Sequence, residues 1–188
     1  MSQSDVQFYL TNGKVARFTV ETGWIMENVH PNKLFSQPQI VVATPSSLAA
    51  FPSHHVALVD IATERQLGWA FPPEVSDIRL VSVEYFLEQT QNIRTDRPEP
   101  PKAGESAKGH VVAELAGVEP LHLEYSTIVR GKLDQRMVVN QLLSQPALLA
   151  RREDDKGMTL LNIANLARLT FYPGPPERPT TAWPAQSV

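Results

Sequence analysis

The chain has 188 residues, of which 42% are hydrophobic and 20% charged. That composition suits one medium domain or two small ones, each with its own core, and is too apolar for wholesale disorder. Cysteine is absent, which excludes disulfides, thiolate metal sites and a cysteine nucleophile. The net charge of −3 is unevenly divided, with five Lys/Arg against nine Asp/Glu in residues 1–92 and twelve against eleven in residues 93–188. Neither half has the cationic excess that phosphate recognition usually requires.

The opening MSQSDVQFYL has no basic segment followed by an apolar run of signal-peptide length, and no window approaches the ~18 apolar residues that span a bilayer. A cytoplasmic location without membrane attachment is therefore expected. In chain order, VQFYLTNGKVARFTV reads as two strands around Asn12-Gly13, the dipeptide favoured where both central turn residues take positive φ. Pro31 predicts the start of a short helix, since its missing N–H costs nothing in a first turn. The proline-bounded run PQIVVAT predicts a buried strand, and HHVALVDI a further strand. VSDIRLVSVEYFLEQT, residues 75–90, reads as one further strand, because Val81, Val83, Tyr85 and Leu87 alternate with other positions.

Residues 93–109, rich in proline, glycine and charge, read as a linker. A second β-rich stretch follows, HVVAELAGVEPLHLEYSTIVRGKL, with a turn at Gly117 and Pro120. DQRMVVNQLLSQP predicts a helix capped by Asp134 and stopped by Pro146, and PALLARRE and MTLLNIANLARLTFY predict more strands. The end, residues 174–188, carries too many prolines for helix or ladder.

NKLFSQP at 32–38 returns as NQLLSQP at 140–146, and the gapless match extends back through Gly23/Gly131 to Thr19/Thr127. Downstream, 56–69 aligns with 158–171 through Leu58/Leu160, Ile61/Ile163, Ala62/Ala164 and Leu67/Leu169, and both copies reach Pro-Pro-Glu. The expected fold is mainly β with one short helix per unit: two tandem copies of a small β-barrel or β-sheet module at 1–92 and 110–173. Gly23 and Gly131 are read as a bulge or a close backbone approach.

Chemical motifs are sparse. His54 and His55 with Asp60 form the most site-like group, yet adjacent strand residues point to opposite faces. His30, His110 and His122 lack metal-cage spacing, and neither a Gly-x-Ser-x-Gly elbow nor a glycine-rich phosphate cradle occurs. No catalytic residue, metal site or cofactor is assigned. Arg130, Lys132, Arg136, Arg151 and Arg152 are the candidate contacts for a partner or nucleic acid, with acidic residues interleaved among them. The reading that leads is a non-catalytic interaction or scaffold protein that binds a protein partner or self-assembles. Single-stranded nucleic-acid binding through the second module, and an enzyme with a small-molecule site between the modules, are the alternatives.

Overall fold

The computed structural model describes residues 2–73, 75–91, 102–128, 142–173 and 183. Strands β1 (Gln3–Leu10) and β2 (Val15–Glu21) form the expected hairpin, registered from Gln3 opposite Glu21 to Tyr9 opposite Val15. Its turn uses Gly13 at φ +80, and the Asn12 side chain accepts from Lys14 N at 3.0 Å. Helix α1 (Thr22–Asn28) comes next and buries Thr22 and Ile25. The four-residue α2 (Pro31–Leu34) then begins at the expected proline. Gly23 lies inside α1 with nothing closer than 3.7 Å to an added Cβ. The bulge or close approach expected there is therefore absent, and Gly131 lies outside the described residues.

β3 (Gln39–Ala43) and β4 (Leu48–Pro52) pair only with each other among the described residues. Their alternating burial corrects the expectation of a fully buried strand at 39–43. A 3-10 turn at Ser53–His55 leads into β5 (Val56–Ala62), nearly all of which is buried. Residues 75–90, expected as a single strand, divide into β6 (Val75–Leu80) and helix α3 (Val83–Thr90). Ser82 breaks the strand because its hydroxyl accepts from Tyr85 N and caps the helix. Helical spacing then buries Phe86 and leaves Val83 and Leu87 outside.

β7 (Ser106–Leu115) opens inside the stretch expected to be linker, of which 93–101 lies outside the described residues. β7 and β8 (Leu121–Ile128) make the second hairpin. Of the helix expected in 134–145, residues 142–144 are helical and 134–141 lie outside the described residues, as does most of the tail. β9 (Ala147–Arg151), β10 (Gly157–Asn162), a 3-10 turn at Ile163–Asn165 and β11 (Leu166–Tyr172) complete the chain order.

Nine strands form one mixed sheet in the order β11-β7-β8-β6-β9-β10-β5-β1-β2. This corrects the barrel expectation: among the described residues the sheet stays open between β11 and β2. The reason lies in β9 and β10. The far edge of β5 is occupied by β10, antiparallel from Gly157 opposite Ala62 to Leu161 opposite Leu58. β9 then meets β6 in a single parallel bridge, Arg79 to Arg151. The hairpin β9–β10 thus lies in the middle of one sheet and is not folded back to close a barrel of its own.

Strands buried on both faces read as continuous apolar runs, and ALLA of β9 and LL of β10 fit that rule. Their side chains are shared between two cores. Leu148, Ala150 and Leu161 join Ala57, Ile78, Val111, Ala113 and Leu123 on one side. Leu149, Met158 and Leu160 join Val6, Phe8, Ile25, Val59 and Ile61 on the other. β3–β4 covers this second core: Phe51 stacks on Phe8 at 5.0 Å between centroids, with Phe18 edge-on to both. Each such side chain contributes about 1.5–3 kcal/mol by burial.

Glycine is required at two close approaches. Gly157 sits at φ +118, and an added Cβ would run into the Ile61 carbonyl oxygen of β5. At Gly117 the tip of the second hairpin touches the first, where an added Cβ would stand 2.5 Å from the Thr11 carbonyl oxygen. Gly157→Ala is expected to lose at least about 1–3 kcal/mol from backbone strain alone, measured as a lowered denaturant midpoint. A variant as stable as the parent would contradict the packing of β10 on β5.

Candidate functional site

Of the residues singled out in the sequence, Arg151 ends β9, Arg152 follows it, and both are already engaged. Arg151 Nε donates to Asp77 Oδ1 at 2.7 Å, and its guanidinium lies over the Phe71 ring. Arg152 donates to Asp60 and to Asp154. Arg130, Lys132 and Arg136 lie outside the described residues. The two described arginines therefore face carboxylates of their own chain, and the second of them clamps the seam between β5 and β10.

Asp60 is the centre of that clamp. It is buried on β5 opposite Thr159 of β10, whose hydroxyl donates to it at 2.7 Å. A buried carboxylate is tolerated only when its oxygens are paired, and Thr159 and Arg152 satisfy one oxygen each. His54 and His55 take no part. Both are exposed in the 3-10 turn before β5, and their ring centroids lie 4.1 Å apart. Neither histidine lies in a strand, because Pro52 ends β4 and the chain turns before β5.

A second polar cluster was missed in the sequence because pairing between distant strands assembles it. Glu124 of β8 is 3% exposed and stands in register with Arg79 of β6 and His110 of β7. Its Oε1 accepts from Arg79 at 2.9 Å and Lys108 at 3.2 Å, and its Oε2 accepts from the Tyr85 hydroxyl at 2.7 Å. His110 Nε2 lies 3.4 Å from Oε2. Burial alone would raise the Glu124 carboxyl, but the hydrogen bonds from Tyr85 and Lys108 and the charge of Arg79 outweigh it and hold the group below its usual range. Both oxygens are committed to protein donors, so the carboxylate is no free base. Instead it ties α3 to three strands.

Burial also lowers the proton affinity of His110, against the pull of Glu124, and lowers that of His122 beside Phe86. Among the described residues no three His, Asp or Glu side chains stand together in a way that could hold a metal ion.

Two concave regions stand out, the first of them at the Asp60 cluster. A cleft of about 1180 Å³ is lined by Tyr9, Leu58, Asp60, Leu121, Arg152 and Thr159, where the hairpin tips approach. An apolar groove of about 770 Å³ runs between β1–β2 and β3, lined by Phe18, Ile25, Val29, Leu34 and Val42, with half-exposed Trp24 among its walls. In the cleft the Thr159 hydroxyl donates to the Asp60 carboxylate, whose other oxygen is held by Arg152. The most conspicuous open feature is β4 itself. SSLAAFPS carries no charge, Leu48 is 73% exposed, and among the described residues only β3 pairs with this strand. Strand edges are ordinarily protected by lysine, inward charge or a covering loop. β2, at one end of the large sheet, does carry Arg17 and Glu21.

No family model, no curated protein and no solved structure matches the chain.

The lowered histidines give a pH dependence with a definite sign. The folded state resists protonation at His110 and His122, so their contribution is intact above the ordinary histidine value of about 6.5 and is lost progressively as pH falls below it. Glu124 acts in the same direction at lower pH, below the ordinary carboxylate range. The denaturant midpoint should therefore drop between pH 7.5 and 5.5, and His110→Gln should flatten that drop. Equal slopes for parent and variant would show that His110 is not the group responsible.

Proposed function

We propose that the chain is a non-catalytic interaction protein, built from two copies of one β unit, that binds polypeptide through an unprotected strand edge. The exposed, charge-free edge of β4 is the observation that carries this reading: its backbone groups and Leu48 are presented outward, in the form that β-strand addition uses. Backbone hydrogen bonds would supply affinity there, and alternate side chains selectivity.

The order of elements supports the two-copy reading. Hairpin β1–β2, helix, hairpin β3–β4, 3-10 turn and β5 laid against β1 parallel hairpin β7–β8, helical turn, hairpin β9–β10, 3-10 turn and β11 laid against β7. On this order β5 corresponds to β11 and β4 to β10. The alignment of 56–69 with 158–171 read from sequence instead superposes β5 on β10, two strands that are neighbours in the sheet.

Polypeptide is favoured over nucleic acid by the cations. Arg151, Arg152 and Arg168 each face a carboxylate of the chain, which leaves less positive potential for phosphates. Catalysis is disfavoured because Asp60 and Glu124, the buried carboxylates, have both oxygens occupied by protein donors.

Leu48→Asp tests the reading, since a side chain so exposed can be changed without disturbing the core. Tagged parent and variant would be compared for stoichiometric capture of polypeptide from the native host, with circular dichroism confirming the fold. At least tenfold weaker capture by the variant is expected. Equal capture by both, or capture of nucleic acid in place of polypeptide, would overturn the proposal.

A further inference from the structure

The chain contains an internal contact between a strand of one unit and a strand of the other, and it leaves both halves of the same contact open at its ends. We propose that chains assemble head to tail, with β4 of one chain adding to the free edge of β11 of the next in the register that β10 takes on β5. This rests on the two-unit interaction reading above and names the partner as a second copy of this chain.

The correspondence is fixed by the 3-10 turns, Ser53–His55 before β5 and Ile163–Asn165 before β11. Counting back from them, Phe51 stands for Leu161, Ala50 for Leu160, Ala49 for Thr159 and Leu48 for Met158. Counting forward, Arg168 stands for Leu58, Leu169 for Val59, Thr170 for Asp60 and Phe171 for Ile61. The internal register pairs Met158 with Ile61, Leu160 with Val59 and Leu161 with Leu58. Carried over, it places Leu48 opposite Phe171, Ala50 opposite Leu169, and Phe51 opposite Arg168.

Two observations make this pairing fit. Among the described residues β4 has β3 as its only ladder partner and β11 has β7, so each offers an open edge. Burial follows the same division: β5 and β10 are buried almost throughout, whereas β4 and β11, their counterparts, are half-exposed. At its two ends the contact between chains differs from the internal one: Asn162 holds the Val56 carbonyl of β5 through its side-chain amide, whereas its counterpart is Pro52, and the counterpart of Gly157 is Ser47, so the ladder between chains is confined to Leu48–Phe51. The polar pair Thr159–Asp60 becomes Ala49–Thr170, and the one charged residue in the contact, Arg168 opposite Phe51, is already paired with Glu114.

Such a contact joins two different surfaces. It leaves one open edge at each end of any assembly, so repeated addition produces a ring if the rotation closes and a filament if it does not.

The absence of cysteine provides the test. Directly opposed positions on antiparallel strands hold Cβ atoms roughly 4.5–5.5 Å apart, close to disulfide geometry. Under mild oxidation, Ala50→Cys with Leu169→Cys in one chain should give a ladder of covalent multimers. Mixing the two single variants should give covalent heterodimers only, and light scattering should show parent chains growing in mass with concentration while Leu48→Asp stays monomeric. Homodimers of Ala50→Cys as abundant as heterodimers would overturn the head-to-tail arrangement. A parent that remains monomeric yet captures another polypeptide through β4 would overturn self-assembly and leave the interaction reading standing. Loss of both capture and self-association would overturn the two together.

Discussion

The antiparallel pairing of β10 with β5 is the contact on which the rest of the molecule depends. It inserts a hairpin from the second half of the sequence between β5 and β6, and it lets β9 and β10 send alternate side chains into two hydrophobic cores. Neither core is completed by contiguous sequence. Leu148 and Leu161 serve one and Leu149 and Leu160 the other, so withdrawal of this hairpin would expose apolar surface on both sides at once.

The polar interior follows from the same pairing. Asp60 is tolerable in the middle of a buried strand because β10 brings Thr159 beside it and the end of β9 brings Arg152. Glu124 is accommodated in the other half by Arg79, Lys108 and Tyr85. Buried ion pairs such as these contribute more to fixing one arrangement than to net stability, since desolvation offsets much of the attraction. Both carboxylates face partners in their own fold, whereas His110 Nε2 is buried without a hydrogen-bond partner.

Much of the secondary structure was legible from local chemistry. Asn12-Gly13 marked the first hairpin, Pro31 the start of α2, and the apolar run at 147–150 a buried strand, whereas 158–172, read as one strand, divides into β10, a 3-10 turn and β11. The errors arose where a local pattern had two readings. Alternating apolar residues in 81–87 suggested a strand, but the Ser82 cap and burial of Phe86 favoured a helix. His54 and His55 read as strand because the turn after Pro52 has no glycine signal. The Glu124 cluster could not be read at all, because its register is set by pairing among residues 79, 110 and 124.

If β10 welds the halves as described, the chain unfolds as one body. Scanning calorimetry at low protein concentration tests this most directly. The account predicts a single transition whose van't Hoff and calorimetric enthalpies agree. Two separated transitions, one for each half, would contradict it.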